Sequence, residues 1–324
     1  MKTSLLYPIA LAAFISLFIS NSSMQATVAT LQELQVANAN AVYQYSFEGA
    51  NDSVYLPRRT DKIGGVVLAN LATGFSVSYA NSTLLADGSP ATPPRTAFDS
   101  SSFAAFTRDG ASTNGASLSN STAGAFTLSL TGTIEYLIKP TIINDGGYAI
   151  GATVTAAGSG TNNPRFIFHY NGGAATNIAY STLGTASGVA LIGGSTGVSY
   201  SADNWYYVAQ TWSISSVSNG TVTMNAWVAN LTAGDTSLTQ TINGVSHAFN
   251  AANLNSASFG LGTYAGGTTT RFDGGFDALT IYNTALDSSV LQAHLGVVPE
   301  PSTVALFVLG FGVVGWVRRK RRAR

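Results

Sequence analysis

Ile134-Glu135-Tyr136-Leu137-Ile138-Lys139 sets Ile134, Tyr136 and Ile138 at alternate positions, with Glu135 and Lys139 on the other face. Successive side chains of a strand point to opposite faces, so the spacing predicts a half-buried strand whose carboxylate and ammonium face solvent. Phe166, Phe168 and Tyr170 alternate in the same way with Arg165 and His169. Further strands are expected at residues 42–47, 75–79, 126–130, 178–180, 205–212, 222–228, 259–261 and 278–282. Clusters of Gly, Asn, Asp and Ser separate them, at 144–147, 171–173, 193–195 and Asn219-Gly220. Many short strands joined by turns, with hardly any helical period, predict an all-β chain built as an antiparallel sandwich or barrel. One short internal helix is expected near residues 287–295, with Asp287 placed to cap it and Val290, Leu291 and His294 or Leu295 facing inward.

The two ends read differently from the body. Lys2 precedes an apolar stretch from Leu5 to Ile19, and small and polar residues follow as far as Ala26. This order predicts a secretory signal peptide over 1–26, leaving 27–41 as a loose or weakly helical leader. At the other end, Pro299, Glu300 and Pro301 lead into an apolar run from Thr303 to Val317, closed by Arg318, Arg319, Lys320, Arg321 and Arg322. Fifteen residues at 1.5 Å each give a helix of about 22 Å, a marginal transmembrane anchor for a hydrocarbon core of roughly 30 Å. The basic tail favours the cytoplasmic side and puts the body outside. The prolines keep Glu300 in extended chain, which suits a site read by a peptidase. Together these features resemble the PEP-CTERM sorting signal of exopolysaccharide-producing Gram-negative bacteria over 297–324. The resemblance implies recognition of Pro299, Glu300 and Pro301 by an exosortase-type membrane peptidase, with the inner membrane as a transient anchor.

Between residues 27 and 298 there are eight basic and fourteen acidic side chains, so the body carries a charge near minus six. Nucleic acid is thereby excluded as a partner, since it requires clustered Lys and Arg. The chain has no cysteine, which removes disulfides and thiolate metal sites. Its three histidines, His169, His247 and His294, show no metal-ligand spacing.

Five blocks carry a second resemblance. They are Tyr43 to Gly49, Gly132 to Pro140, Asn204 to Trp212, Met224 to Asn230, and Phe272 to Leu286 with its Phe276-Asp277 and Ile281-Tyr282-Asn283 steps. Their order is similar to that of laminin G-like, concanavalin A-like domains. The implied architecture is an antiparallel two-sheet jelly-roll sandwich over 42–296. Residues 54–121 are longer and less patterned than that family's first third.

The same resemblance implies a structural calcium ion held by Glu48 and Asp277, and oxygen ligands suit that hard cation. Tyr136, Tyr170 and Trp227 are candidates for stacking on sugars across the concave sheet. Trp205 and Trp212 are seven residues apart, and an odd spacing points them to opposite faces, one into the core. For catalysis, jelly-roll glucanases set their carboxylates on one strand at a Glu-x-Asp-x-x-Glu spacing; nothing here matches it, and the three glutamates of the body, Glu33, Glu48 and Glu135, are far apart in sequence. No Gly-x-Ser-x-Gly elbow is present either. The expectation is an exported surface or exopolysaccharide-matrix protein that binds extracellular polysaccharide without catalysis. A polysaccharide-active hydrolase or lyase, and a structural coat protein without ligand, are the two alternatives.

Overall fold

The computed structural model describes residues 31–47, 60–70, 78–81, 102–106, 118–120, 122, 126–141, 148–155, 165–171, 181–183, 201–217, 220–249, 258–261 and 272–296. All of them fall within the unit Thr30–Val298. The leader forms a helix, α1 (Leu31–Ala37), followed by β1 (Ala41–Tyr45), β2 (Ala69–Asn70), β3 (Ser78–Asn81), β4 (Ser102–Phe106) and β5 (Leu118–Asn120). Next come β6 (Thr131–Pro140), β7 (Tyr148–Thr155), β8 (Arg165–Asn171) and β9 (Ser181–Leu183). The last part contains β10 (Tyr206–Ile214), β11 (Gly220–Asn230), β12 (Thr239–Phe249), β13 (Ser258–Leu261), β14 (Gly274–Tyr282) and α2 (Ser288–Leu295).

The strands form antiparallel sheets. The larger runs β12-β11-β10-β6-β14-β4-β3, with β1 also paired to β14, and the smaller runs β2-β5-β13-β7-β8-β9. β14 is therefore central although it comes last: β6 flanks one edge, while β4 and β1 share the other. One buried cluster joins the sheets, where Tyr45, Tyr136, Val208, Trp212 and Ile281 of the larger meet Leu118, Phe259 and Leu261 of the smaller. The rings of Tyr45 and Phe259 stack across it at 6.3 Å.

A second cluster covers the outer face of the larger sheet. Leu31 of α1 and Leu291 and Leu295 of α2 pack there on Leu137, Trp205, Tyr207 and Trp227. β6 is thus buried on both faces, which corrects the expectation that Glu135 and Lys139 meet solvent. Both are buried. The alternation was real, but two helices occupy the face that the polar residues share. Trp205 and Trp212 do point oppositely, and both are buried because each face has its own cover.

Other expectations meet local corrections. Residues 126–130 form no strand; their backbone is bonded by core side chains and a neighbouring strand instead. Thr127 N–H donates to the Tyr43 hydroxyl at 2.9 Å, Ser129 carbonyl accepts from the Trp212 indole at 3.1 Å, and Leu130 carbonyl accepts from Ile214 N–H at 2.8 Å. β12 was not anticipated, because its alternation breaks at Asn243-Gly244. There the ladder against β11 shifts register, and Gly244 takes φ 61°. α2 lies where the helix was expected and buries Leu291, His294 and Leu295. Asp287 holds the N-cap position with its side chain making no capping bond. Among the described residues no helix is long and apolar enough to cross a membrane, and the 303–317 run lies outside them.

Candidate functional site

The densest gathering of chemically capable side chains lies beneath α2. Glu135 of β6 faces Ala209 of β10 on one side and Thr280 of β14 on the other. Its diagonal neighbours are Tyr207, which faces Leu137, and Tyr282, which faces Thr133. Long side chains reach across such diagonals. Tyr207 donates its hydroxyl to Glu135 Oε2, and Tyr282 donates to Oε1. His294, on the inward stripe of α2, completes the set with Nδ1 at 3.1 Å from each oxygen.

Burial acts first on every member of this cluster. It pushes the Glu135 carboxyl upward, but the hydrogen bond and charge of His294, with the two phenol donors, outweigh it and hold the carboxyl below its usual range. Burial likewise opposes charge on His294, yet the carboxylate raises its pKa above the ordinary value. Tyr207 and Tyr282 are pushed well above the usual phenol range by burial and then by the adjacent carboxylate. The shifts all run in the direction that favours an imidazolium–carboxylate pair beside two neutral phenols.

Carboxylate, imidazole and phenol are the groups of general acid–base catalysis. Here they are closed off: Glu135 is 0% and His294 5% exposed, beneath Leu291 and Leu295. The arrangement ties the last helix to the central strands. Sequence reasoning placed His294 or Leu295 inward and missed the partner of His294. The available signal was that a buried imidazole on an apolar helix face needs a hydrogen-bonding group opposite.

Of the residues singled out for sugar stacking, Tyr136 and Trp227 do not come together. Tyr136 is 2% exposed, on the inner face of the larger sheet, with its ring 5.7 Å from Phe276. Trp227 is 8% exposed in the outer-face cluster. Tyr170 belongs to the smaller sheet, paired with Ala149, and its side chain lies outside the described part. Tyr136 and Trp227 therefore form no common platform, because opposite covers bury them on opposite faces.

Of the expected calcium ligands, Asp277 is fully buried, and its Oδ1 accepts from Ala278 N–H at 2.7 Å. Ala278 has φ 46° and sits in a bulge, where the β14–β6 register shifts between Asp277 and Thr280. Gln35 of α1 bonds the Ala278 carbonyl at 3.0 Å from the other side. The carboxylate thus supports the bulge. Glu48, like Pro299, Glu300 and Pro301, lies outside the described residues. Among those described, no three His, Asp or Glu side chains gather closely enough to hold a metal ion.

Lys139 is also buried, with Nζ 3.7 Å from Asp203 Oδ1. Asp203 has φ 63°, and its N–H donates to the Pro140 carbonyl at 2.7 Å. This fixes the turn entering β10 against the end of β6.

Comparisons with known proteins bear on the C-terminal segment. Residues 297–322 match the PEP-CTERM protein-sorting motif. No curated protein matches the chain. Among solved structures it is similar to a Trypanosoma rangeli sialidase mutant displaying trans-sialidase activity, at 14% identity and TM-score 0.45, over 90% of this chain and 40% of that one. It is similar to a marine PL-14 alginate lyase from Aplysia kurodai at 14% identity and TM-score 0.44, over 75% of this chain and 99% of that one. A third likeness is to the Botulinum neurotoxin serotype D binding domain, at 9% identity and TM-score 0.46, over 81% of this chain and 52% of that one. The chain thus spans less than half of the sialidase. At such identities and scores these likenesses carry no inference about chemistry. The motif at 297–322 is the firm assignment: it marks the chain for export, transient membrane anchoring, processing by an exosortase membrane protease and delivery to the surface.

Proposed function

We propose that the exported body is a non-catalytic jelly roll of the laminin G-like kind that binds extracellular polysaccharide at the cell surface or in the exopolysaccharide matrix. The observation that carries the reading is the sorting motif at the end of a predominantly β domain. The closed state of the acid–base cluster supports the non-catalytic part, since a substrate cannot touch a carboxylate sealed under α2.

The protein recovered from the surface of expressing cells, incubated with a panel of neutral and acidic polysaccharides, tests this. Retention on at least one polymer with no new reducing ends and no unsaturated products is the expected result. Product release would make the protein a hydrolase or lyase, and uniform failure to bind would make it a coat protein without ligand. Alanine in place of Pro299, Glu300 and Pro301 is expected to leave the chain in the membrane fraction at its unprocessed size. Normal surface release of that variant would remove the peptidase from the account.

A further inference from the structure

The outer face of the larger sheet, beyond the reach of α2, carries a row of hydroxyls. Thr131 of β6 lies directly opposite Ser213 of β10, Ser213 opposite Thr223 of β11, and Thr223 opposite Ser246 of β12. Thr131, Ser213 and Ser246 are exposed and Thr223 is half-buried. With strands about 4.8 Å apart, the four positions span roughly 14 Å across the sheet. The Thr223 and Ser246 hydroxyls share a hydrogen bond of 2.9 Å, which fixes that end of the row, and at the other end the Thr131 hydroxyl donates to the Asn283 carbonyl at 3.3 Å.

Polar groups flank the row on both sides. Towards the strand ends, exposed Ser215 and Thr221 face each other, with Thr221 N–H donating to the Ser215 hydroxyl at 2.9 Å. On the inner side, Asn225 holds its amide oxygen against Gly244 N–H at 2.8 Å, next to exposed Gln240. β10, β11 and β12 contain no Asp, Glu, Lys or Arg, and the two charged residues of β6 are buried.

An exposed sheet without charge is a hazard that soluble proteins ordinarily suppress. We infer that this hydroxyl and amide shelf, Thr131, Ser213, Thr223 and Ser246 with Asn225 and Gln240, is the docking face for a neutral polysaccharide chain lying across the strands. The inference rests on the polysaccharide-binding reading above and assigns it a site.

Charge and hydrogen-bonding capacity select this occupant. Hydroxyls and amides both donate and accept, matching a polymer whose own groups do the same. An anionic polymer meets no Lys or Arg on these strands, and the body has fourteen acidic against eight basic residues. An apolar partner would bury hydroxyls without replacing their hydrogen bonds. A second copy pairing edge to edge is opposed by β12 itself, whose register shifts twice against β11, and bulges turn an edge away from further pairing.

Two double variants test the shelf in the full-length exported protein, Thr131→Val with Ser213→Ala and Thr223→Val with Ser246→Ala. Three of the four positions are exposed and the fourth half-buried, so melting temperatures near wild type verify the fold. Cellulose and a soluble neutral β-glucan serve as probes, with alginate as the anionic comparison. Each variant is expected to bind the neutral polymers roughly tenfold more weakly, with little dependence on salt, as loss of two hydrogen-bonding groups implies. Wild-type binding that both folded variants retain would place the contacts elsewhere and sink the shelf alone. No neutral-polymer binding by wild type would remove the polysaccharide reading and the shelf with it. Salt-sensitive preference for alginate, or variants that alter only self-association, would also overturn the assignment.

Discussion

Replacing Glu135 by alanine is expected to destabilise the folded domain by about 3–5 kcal/mol, the range found when one member of a buried ion pair is removed. The variant leaves the Tyr207 and Tyr282 hydroxyls and His294 Nδ1 without the oxygens they now share. It also opens space beneath Leu291 and Leu295, so α2 loses its buried polar tie and part of its packing, and keeps the bonds of Gln292 to Leu238 and Thr236. Denaturant titration of the purified protein reads this as a lower midpoint with little change in slope. A shift under about 1 kcal/mol would mean that the cluster holds nothing together. His294→Ala is expected to cost less, because the carboxylate keeps both phenol donors.

The same cluster gives stability a defined pH dependence. Glu135 has a depressed folded pKa, so its contribution is complete above the ordinary carboxyl value of 4.5 and is lost as pH falls through the folded value. His294 has a raised folded pKa, so its contribution is complete below the ordinary 6.5 and is lost as pH rises through the folded value. Both are complete between about 4.5 and 6.5. His294→Ala should therefore flatten the alkaline limb of a stability–pH profile and also weaken the acid limb, because His294 supplies the largest of the interactions that hold the Glu135 carboxyl below its usual range. An unchanged alkaline limb would show that His294 carries no charge in the folded state.

Gly274→Ala is the second large expected effect, about 3 kcal/mol or more, because backbone strain and overpacking act together there. Gly274 has φ 147°, and an added Cβ would lie 1.9 Å from the Lys139 carbonyl oxygen and 2.9 Å from the Phe272 ring. Gly274 pairs with Pro140 and Phe106, at the point where the central strand enters the sheet, so neither neighbour can give way without disturbing a ladder. Gly65→Ala is the control. Its φ is 73°, but the space around it is open, so only the conformational cost of about 1 kcal/mol is expected. Equal denaturant midpoints for the two variants would show that β14 can move away from β6.

Much of the β pattern was legible because alternation is a local property. Residues 222–228 and 278–282 read as strands and lie within β11 and β14, and 205–212 reads as a strand that overlaps β10 from Tyr206 onward. β12 escaped notice because its bulge at Asn243-Gly244 shifts the phase that alternation depends on. The Glu135–His294 pair joins residues 159 positions apart, and no local spacing connects them. Hydroxyls at Thr131, Ser213, Thr223 and Ser246 are ordinary in a Ser- and Thr-rich chain; only the register aligns them.

By itself the sequence determined which segments alternate, that the body is acidic and free of cysteine, and that a sorting motif follows it. The tertiary structure alone decided what each strand face meets. Alternation divides side chains between two faces without saying whether water or another element covers either one. For β6 that cover came from α1 and α2, which are far apart in sequence, and it turned a carboxylate expected at the surface into the buried anchor of α2.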